Sequence, residues 1–211
     1  MKIKRVKQAS TELMQNQIIL MLLCVGLITL LFLVYGIFSD AERTPFVESA
    51  LGLNALLSFL LGYFLPQKIG GVNRLYRLGL LRRDIFNTYI RVAGYYTLNT
   101  VTLILFIGVF INILPWLNSL NSLLEIETLY IIISAILYTF GLYLLGVAIR
   151  IAIHSQRLYA LLGVIVLLIM IQPLLSGESS MIGIVIPILL IAIALGLLYV
   201  LLRAIKIERQ L

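Results

Sequence analysis

Residues 129–149 read LYIIISAILYTFGLYLLGVAI, and this stretch decides the class of fold. It contains no charged residue and is followed directly by Arg150. A helix of this length rises about 1.5 Å per residue and so crosses the roughly 30 Å of hydrocarbon in a bilayer. The stretch therefore predicts a membrane-spanning helix that ends at a basic residue.

The rest of the chain has the same character. Of its 211 residues, 62% are hydrophobic and only 12% are charged. Soluble domains carry about twice that share of charge. We therefore expect an all-α integral membrane protein in which residues 1–211 form a single transmembrane domain. Six segments are long and apolar enough to span the bilayer, at about residues 18–38, 46–65, 92–114, 129–149, 158–175 and 181–202. Proline inside a helix bends it, so a kink is expected at Pro187.

The positions of Lys and Arg predict the orientation. Every Lys and Arg except Arg43 falls in the N-terminal segment, the second connection, the fourth connection or the C-terminal tail. Cytoplasmic segments carry an excess of these residues. The sequence therefore predicts that both termini are cytoplasmic and that the six segments alternate in direction.

The sequence offers little for catalysis. No charged residue lies in the middle of a predicted span, whereas ion-coupled carriers and voltage sensors place ionisable groups there. The one histidine, His154, has no clustered partner for a metal or hydrolase site. No phosphate-binding loop of the form Gly-x-x-x-x-Gly-Lys-Ser/Thr occurs. We predict no catalytic residue, metal site, cofactor or nucleic-acid binding, and we expect any energy for transport to come from another protein.

The second connection, residues 66–91, is much longer than a turn between neighbouring helices. Its apolar residues recur at helical spacing, with arginines between them: Leu78, Leu81, Ile85 and Tyr89. The pattern predicts an amphipathic segment on the cytoplasmic side. Three roles remain open for it: a helix on the membrane surface, a helix docked in a groove of a partner, or a loop whose arginines reach the headgroups.

Residues 78–85, Leu-Gly-Leu-Leu-Arg-Arg-Asp-Ile, resemble the segment Leu-Pro-Val-Ser-Arg-Lys-Asp-Ile of the permease subunits of ABC-2-type transporters. The match counts Leu80 and Arg83 as conservative, while Gly79 stands in place of proline and Leu81 in place of serine. In that family the segment lies between the second and third of six helices, as it does here.

The resemblance implies a permease subunit that pairs with a second permease subunit, identical or different, and binds cytoplasmic ATP-binding subunits. The segment between the second and third helices would be the coupling element. Its polar contacts would come from Arg82, Arg83 and Asp84, and its apolar contacts from Leu78, Leu81 and Ile85. Residues 2–17 would form the amphipathic helix that precedes the first span in such permeases.

Weakly polar residues also recur inside the predicted spans. Asn54, Ser58 and Gly62 lie four residues apart on the second helix, and the third helix holds Tyr96, Asn99 and Thr100 in its cytoplasmic half. Small residues of this kind let helices approach closely in lipid. For the stripe on the second helix, packing within the chain, contact between subunits and a translocation path all remain open. The polar residues of the third helix suit an inward-facing vestibule, hydrogen-bonded packing or an interfacial belt.

The leading hypothesis is an exporter permease for an amphiphile, such as a lipid, a hydrophobic peptide or a drug-like molecule, in the plasma membrane of a prokaryote. Membrane lipid is an expected partner. The alternative is a scaffold or immunity protein that binds a partner through the same basic segment without transport. A small carrier that works downhill is a third candidate.

Overall fold

The computed structural model of the chain describes residues 26–27, 46–68, 75, 79–113, 126–154 and 182–204. These residues form four long helices: α1 Phe46–Lys68, α2 Arg82–Ile113, α3 Ile126–His154 and α4 Ile182–Ala204. The predicted helices at 18–38 and 158–175 lie outside the described residues, except for Gly26 and Leu27, which are helical. The predicted N-terminal segment, residues 2–17, also lies outside them.

The four helices match the second, third, fourth and sixth predicted segments, with one substantial correction. The third segment was predicted to begin at residue 92, after a separate amphipathic segment, but α2 begins at Arg82. Residues 82–91 are thus the first turns of the same helix. The reason is a continuous buried face, since Ile85, Tyr89, Val92 and Tyr96 all pack into the interior. Such spacing keeps one helical face buried across the predicted boundary.

Contacts between the helices establish their relative directions. Asn54 of α1 bonds to Thr139 of α3. Gly62, eight residues later on α1, lies against Tyr143, four residues later on α3. The helices α1 and α3 therefore run parallel. Arg82, which begins α2, bonds to the end of α4. In the α1–α2 contact Leu51 clusters with Ile104, whereas Asn54 bonds to Tyr96. The helix α2 is therefore antiparallel to the other three.

This arrangement gives the bundle what we call its basic end, where α2 begins and the other three helices end. Arg82, Arg83, Arg150 and Arg203 lie there. Alternation predicts that the second, fourth and sixth segments run in one direction and the third in the other. The corresponding helices do so: α1, α3 and α4 are parallel, and α2 is antiparallel to them. The described helices are thus compatible with that alternation.

The helix α3 is the centre of the bundle and packs against each of the other three. Two thirds of its span, 67%, is buried, against 28% for α4. Residues 141–149 are buried without interruption. The exposed face of α4 is apolar, with Val185, Ile188 and Leu189 each about half exposed. Such a face suits contact with lipid acyl chains.

Three of the helices are long and apolar enough to cross a membrane, namely α2, α3 and α4. In α1 the apolar stretch Leu53–Phe64 is shorter. The helix α4 continues through Pro187, which lies inside it. The described part of the chain is thus all-helical and compatible with a membrane protein.

Candidate functional site

Gly79 forms the turn that precedes α2. Its φ is 76°, in the left-handed region that glycine adopts without steric cost. The Leu80 N–H closes the turn by donating to the Leu75 carbonyl oxygen at 3.2 Å, and Leu80 is buried. Proline holds φ at about −65°. The glycine that stands where the ABC-2-type motif has proline therefore adopts a backbone conformation that proline cannot.

Asp84 stabilises the first turn of α2. Its carboxylate accepts a hydrogen bond from the Leu81 N–H at 3.2 Å, while the Leu81 carbonyl accepts one from the Ile85 N–H at 3.0 Å. The third residue of the helix thus reaches back to the residue before it, as in one half of a capping box. The helix dipole also favours a negative charge at this end. The Asp84 carboxylate is therefore engaged within its own chain.

Arg82 joins the beginning of α2 to the end of α4. Its guanidinium Nη1 donates to the Arg203 carbonyl oxygen at 2.7 Å. Cationic side chains bond favourably to the last carbonyls of a helix. One turn along, the Phe86 and Tyr199 rings meet edge to face, with centroids 6.2 Å apart. Two contacts thus fix α2 to α4 at the basic end.

The predicted coupling residues therefore separate into two groups. Leu81, 54% exposed, and the exposed Arg83 form what we call the tip of α2. Arg82 and Asp84 bond within the chain, and the Ile85 side chain is fully buried. Ile85 thus packs inside the bundle, where a partner cannot reach it. Leu78 lies outside the described residues.

A second pair of contacts joins α1 to α3 at the basic end. The Arg150 guanidinium donates to the Tyr63 hydroxyl at 3.2 Å and lies over the same ring, 5.1 Å from its centroid. The planar guanidinium is suited to stack on aromatic faces. Arg82 of α2 and Arg150 of α3 are thus each bonded to a neighbouring helix.

Asn54 is the centre of a polar cluster inside the bundle. Its Nδ2 donates to the hydroxyls of Thr100 and Thr139, both at 3.3 Å, and its Oδ1 accepts from the Tyr96 hydroxyl at 3.2 Å. The Thr100 hydroxyl in turn donates to the Tyr96 carbonyl oxygen at 2.8 Å. All four residues are buried. Because the Asn54 amide has partners for both donors and its acceptor, the cluster ties three helices together.

The remaining small residues on α1 face the same interior. The Ser58 hydroxyl donates to the Ala55 carbonyl oxygen at 2.5 Å. A Cβ added to Gly62 would fall well inside contact distance of the Tyr143 carbonyl, and one added to Gly146 would meet the Phe59 carbonyl. The helices α1 and α3 therefore cross with their backbones in contact. Of the interpretations that the sequence left open for this stripe, packing within the chain is the one that these contacts support.

Asn99 does not join the cluster, although it is next to Thr100 in the sequence. Its side chain is exposed, points about 100° away from that of Thr100 around α2, and has no hydrogen-bond partner among the described residues. Asn99 is therefore separate from the cluster in which Asn54 meets Tyr96 and Thr100. Tyr96 and Thr100 belong to the interior, and Asn99 belongs to the outer surface of α2.

Two contributors were missing from the predicted set. Gly146 makes the close crossing with α1, and Tyr63 binds Arg150. A glycine inside an otherwise apolar helix is a signal of close approach and would have indicated the first. Within the part of the chain that the structure describes, no three His, Cys, Asp or Glu side chains lie together as metal ligands.

Comparisons with known proteins found no matching family model, no matching curated protein and no matching solved structure. Hypotheses about function therefore depend on the residues and contacts of the chain itself.

Proposed function

We propose that this chain is the membrane-spanning permease subunit of an ABC-2-type exporter, driven by a separate cytoplasmic ATPase that contacts the tip of α2. The observation that carries the proposal is the length of α2. Its 32 residues extend about 48 Å, whereas the hydrocarbon of a bilayer is roughly 30 Å thick. The helix is thus long enough to cross the membrane and still project several turns beyond it.

The contacts at the basic end would let a force on the start of α2 reach the other helices. A push on the tip reaches α4 through Arg82 and Phe86. It reaches α1 and α3 through the Asn54 cluster further along α2. Packed helices move as bodies rather than deform continuously. A force applied at Leu81 and Arg83 would therefore be transmitted to all four described helices.

The tip also has the composition of a contact site. Leu81 is a large exposed apolar residue beside an exposed arginine, and both lie at the start of a helix held in place by its cap. The resemblance of residues 78–85 to the ABC-2-type motif supports an ATP-binding partner at this position. In this proposal the exporter works in a prokaryotic plasma membrane, pairs with a second permease subunit and moves an amphiphile.

Purification with associated proteins tests the proposal. A photo-crosslinking amino acid at residue 83 should capture a protein with ATPase activity. The double variant Leu81→Asp with Arg83→Glu should lose that protein, because it reverses the charge and removes the apolar contact. Arg82 is left unchanged so that the bond to Arg203 remains.

Asn87→Glu is the matched control, since Asn87 is exposed one turn after Arg83. It adds negative charge outside the tip, so the ATPase should remain bound. Capture of a partner without ATPase activity would replace the proposal with the scaffold or immunity alternative. Equal retention of the ATPase by the double variant and the control would rule out the tip as the contact site.

A further inference from the structure

The exposed face of α2 in the membrane differs from that of α4. It carries Tyr95, Leu98, Asn99 and Thr102, which are all exposed and lie on one side of the helix over two turns. We call these four residues the Asn99 patch. Asn99 and Thr102 have no hydrogen-bond partner among the described residues. The patch is therefore a polar surface that the described helices leave uncovered.

The patch lies at the depth of the hydrocarbon. Asn99 follows Arg91 by eight residues, or about 12 Å along the helix. It is also next to Thr100, which bonds to Asn54 in the middle of α1. At a similar depth α4 exposes Leu189, next to Leu190, which lies close to Gly141 of α3. One helix thus presents an amide where another presents a hydrocarbon side chain.

An amide at this depth requires a partner. Acyl chains offer no hydrogen bond, so polar side chains within the bilayer face protein or a water-filled space. The Asn54 cluster shows how the same chain satisfies an interior amide, with every donor and acceptor bonded. We expect Asn99 to be satisfied in the same manner by a group from outside the four helices.

We propose that the Asn99 patch is the contact surface for a second copy of this chain, related by a two-fold axis that passes beside Asn99. A carboxamide carries both a donor and an acceptor, so Asn99 from each copy can bond to the other across the axis. The patch residues recur every three to four positions, which is typical of the seam between two packed helices. A single asparagine in such a seam fixes its register.

Arg91 lies on the same side of α2, two turns nearer the basic end. Its long side chain can turn to the headgroups, which separates its charge from that of Arg91 in the second copy. This inference rests on the proposed function, because a permease of this class pairs with a second subunit. It identifies that second subunit as an identical chain and the contact surface as α2.

The single cysteine of the chain makes the test direct, since Cys24→Ser removes every thiol. In that background Asn99→Cys should form a dimer under oxidation in membranes, and reduction should abolish it. A disulfide requires Cα atoms within about 7 Å, so only a close contact gives this result. Leu189→Cys is the control at similar depth on the apolar face of α4, and it should stay monomeric.

A second measurement does not depend on a new bond. In detergent, Asn99→Leu should shift the full chain from dimer to monomer, whereas Asn87→Leu should leave the dimer intact. If Asn99→Cys instead reacts with a water-soluble maleimide and does not crosslink, the patch lines a water-filled path and the proposal is wrong. If the residue neither crosslinks nor reacts, another part of the chain covers it, which also overturns the proposal. Retention of the ATPase in these variants is scored separately, so failure here is distinct from failure of the proposed function.

Discussion

At Gly79 the backbone adopts a φ of 76°, so the change to the proline of the ABC-2-type motif is a sharp test of this turn. Gly79→Pro requires φ near about −65°, which is incompatible with the turn and with the bond between Leu80 and Leu75. Gly79→Ala forces a side chain into the left-handed region at a cost of about 1–2 kcal/mol. We expect both variants to lower the free energy of unfolding in mixed micelles, the proline variant by more.

Gly196→Ala is the control for this experiment, because nothing lies within 4 Å of a Cβ added there. It should leave the free energy of unfolding unchanged or slightly raised, since alanine is the better helix former. A proline variant as stable as the original chain would mean that the turn does not need glycine.

Neighbouring residues on α2 also show what a sequence can and cannot predict at this scale. Arg82 bonds to Arg203 while Arg83 is exposed, and Thr100 is buried while Asn99 is exposed. Successive residues on a helix point about 100° apart. Residue type identified all four as candidates, but the rotation of the helix decides which of them face the bundle, and rotation depends on packing partners that are distant in sequence.

Element length was the least predictable feature. Hydropathy located the apolar part of α2 correctly. It indicates which residues can lie in lipid, but it does not indicate the residue at which a helix begins. The start at Arg82 depends on the Asp84 cap and on Ile85 and Tyr89, which continue the buried face. A helical spacing of apolar residues was visible in this segment. That the same helix continues without a break through the apolar stretch was not predicted.

The crossing of α1 and α3 leads to a prediction at the scale of elements. Gly146→Leu should push the helices apart, because even a Cβ at this position would meet the Phe59 carbonyl and the Tyr63 nitrogen. Both are backbone atoms that cannot rotate away. We expect a loss of about 1–3 kcal/mol in the free energy of unfolding in mixed micelles, as is typical for overpacking.

Gly94→Ala provides the comparison, since no atom lies within 4 Å of a Cβ added there. The two glycines are both helical, so a general effect of glycine replacement would appear in both. Equal stability of the two variants would show that α1 and α3 do not rely on backbone contact.

For the whole molecule, the order and direction of the described helices follow from the sequence. Alternation of basic residues predicted that the second, fourth and sixth segments run in one direction and the third in the other. The structure gives α1, α3 and α4 that common direction and α2 the opposite one. The relative directions could be predicted because consecutive spans alternate, and the basic residues near the helix ends indicate where each span ends. The contacts among helices could not, because they depend on three-dimensional shape.

The same directions predict which residues are reachable from each side of the membrane. In the Cys24→Ser background, Arg83→Cys lies at the basic end and Tyr130→Cys near the start of α3, at the opposite end. A maleimide that cannot cross lipid should label residue 83 only in inverted vesicles and residue 130 only in intact cells. Both side chains are exposed on the protein surface, so differences in labelling report the side and not burial. Permeabilised cells, in which both variants should react, control for reactivity. Labelling of both positions from one side would contradict the alternation, and with it the cytoplasmic position of the tip that the ATPase proposal requires.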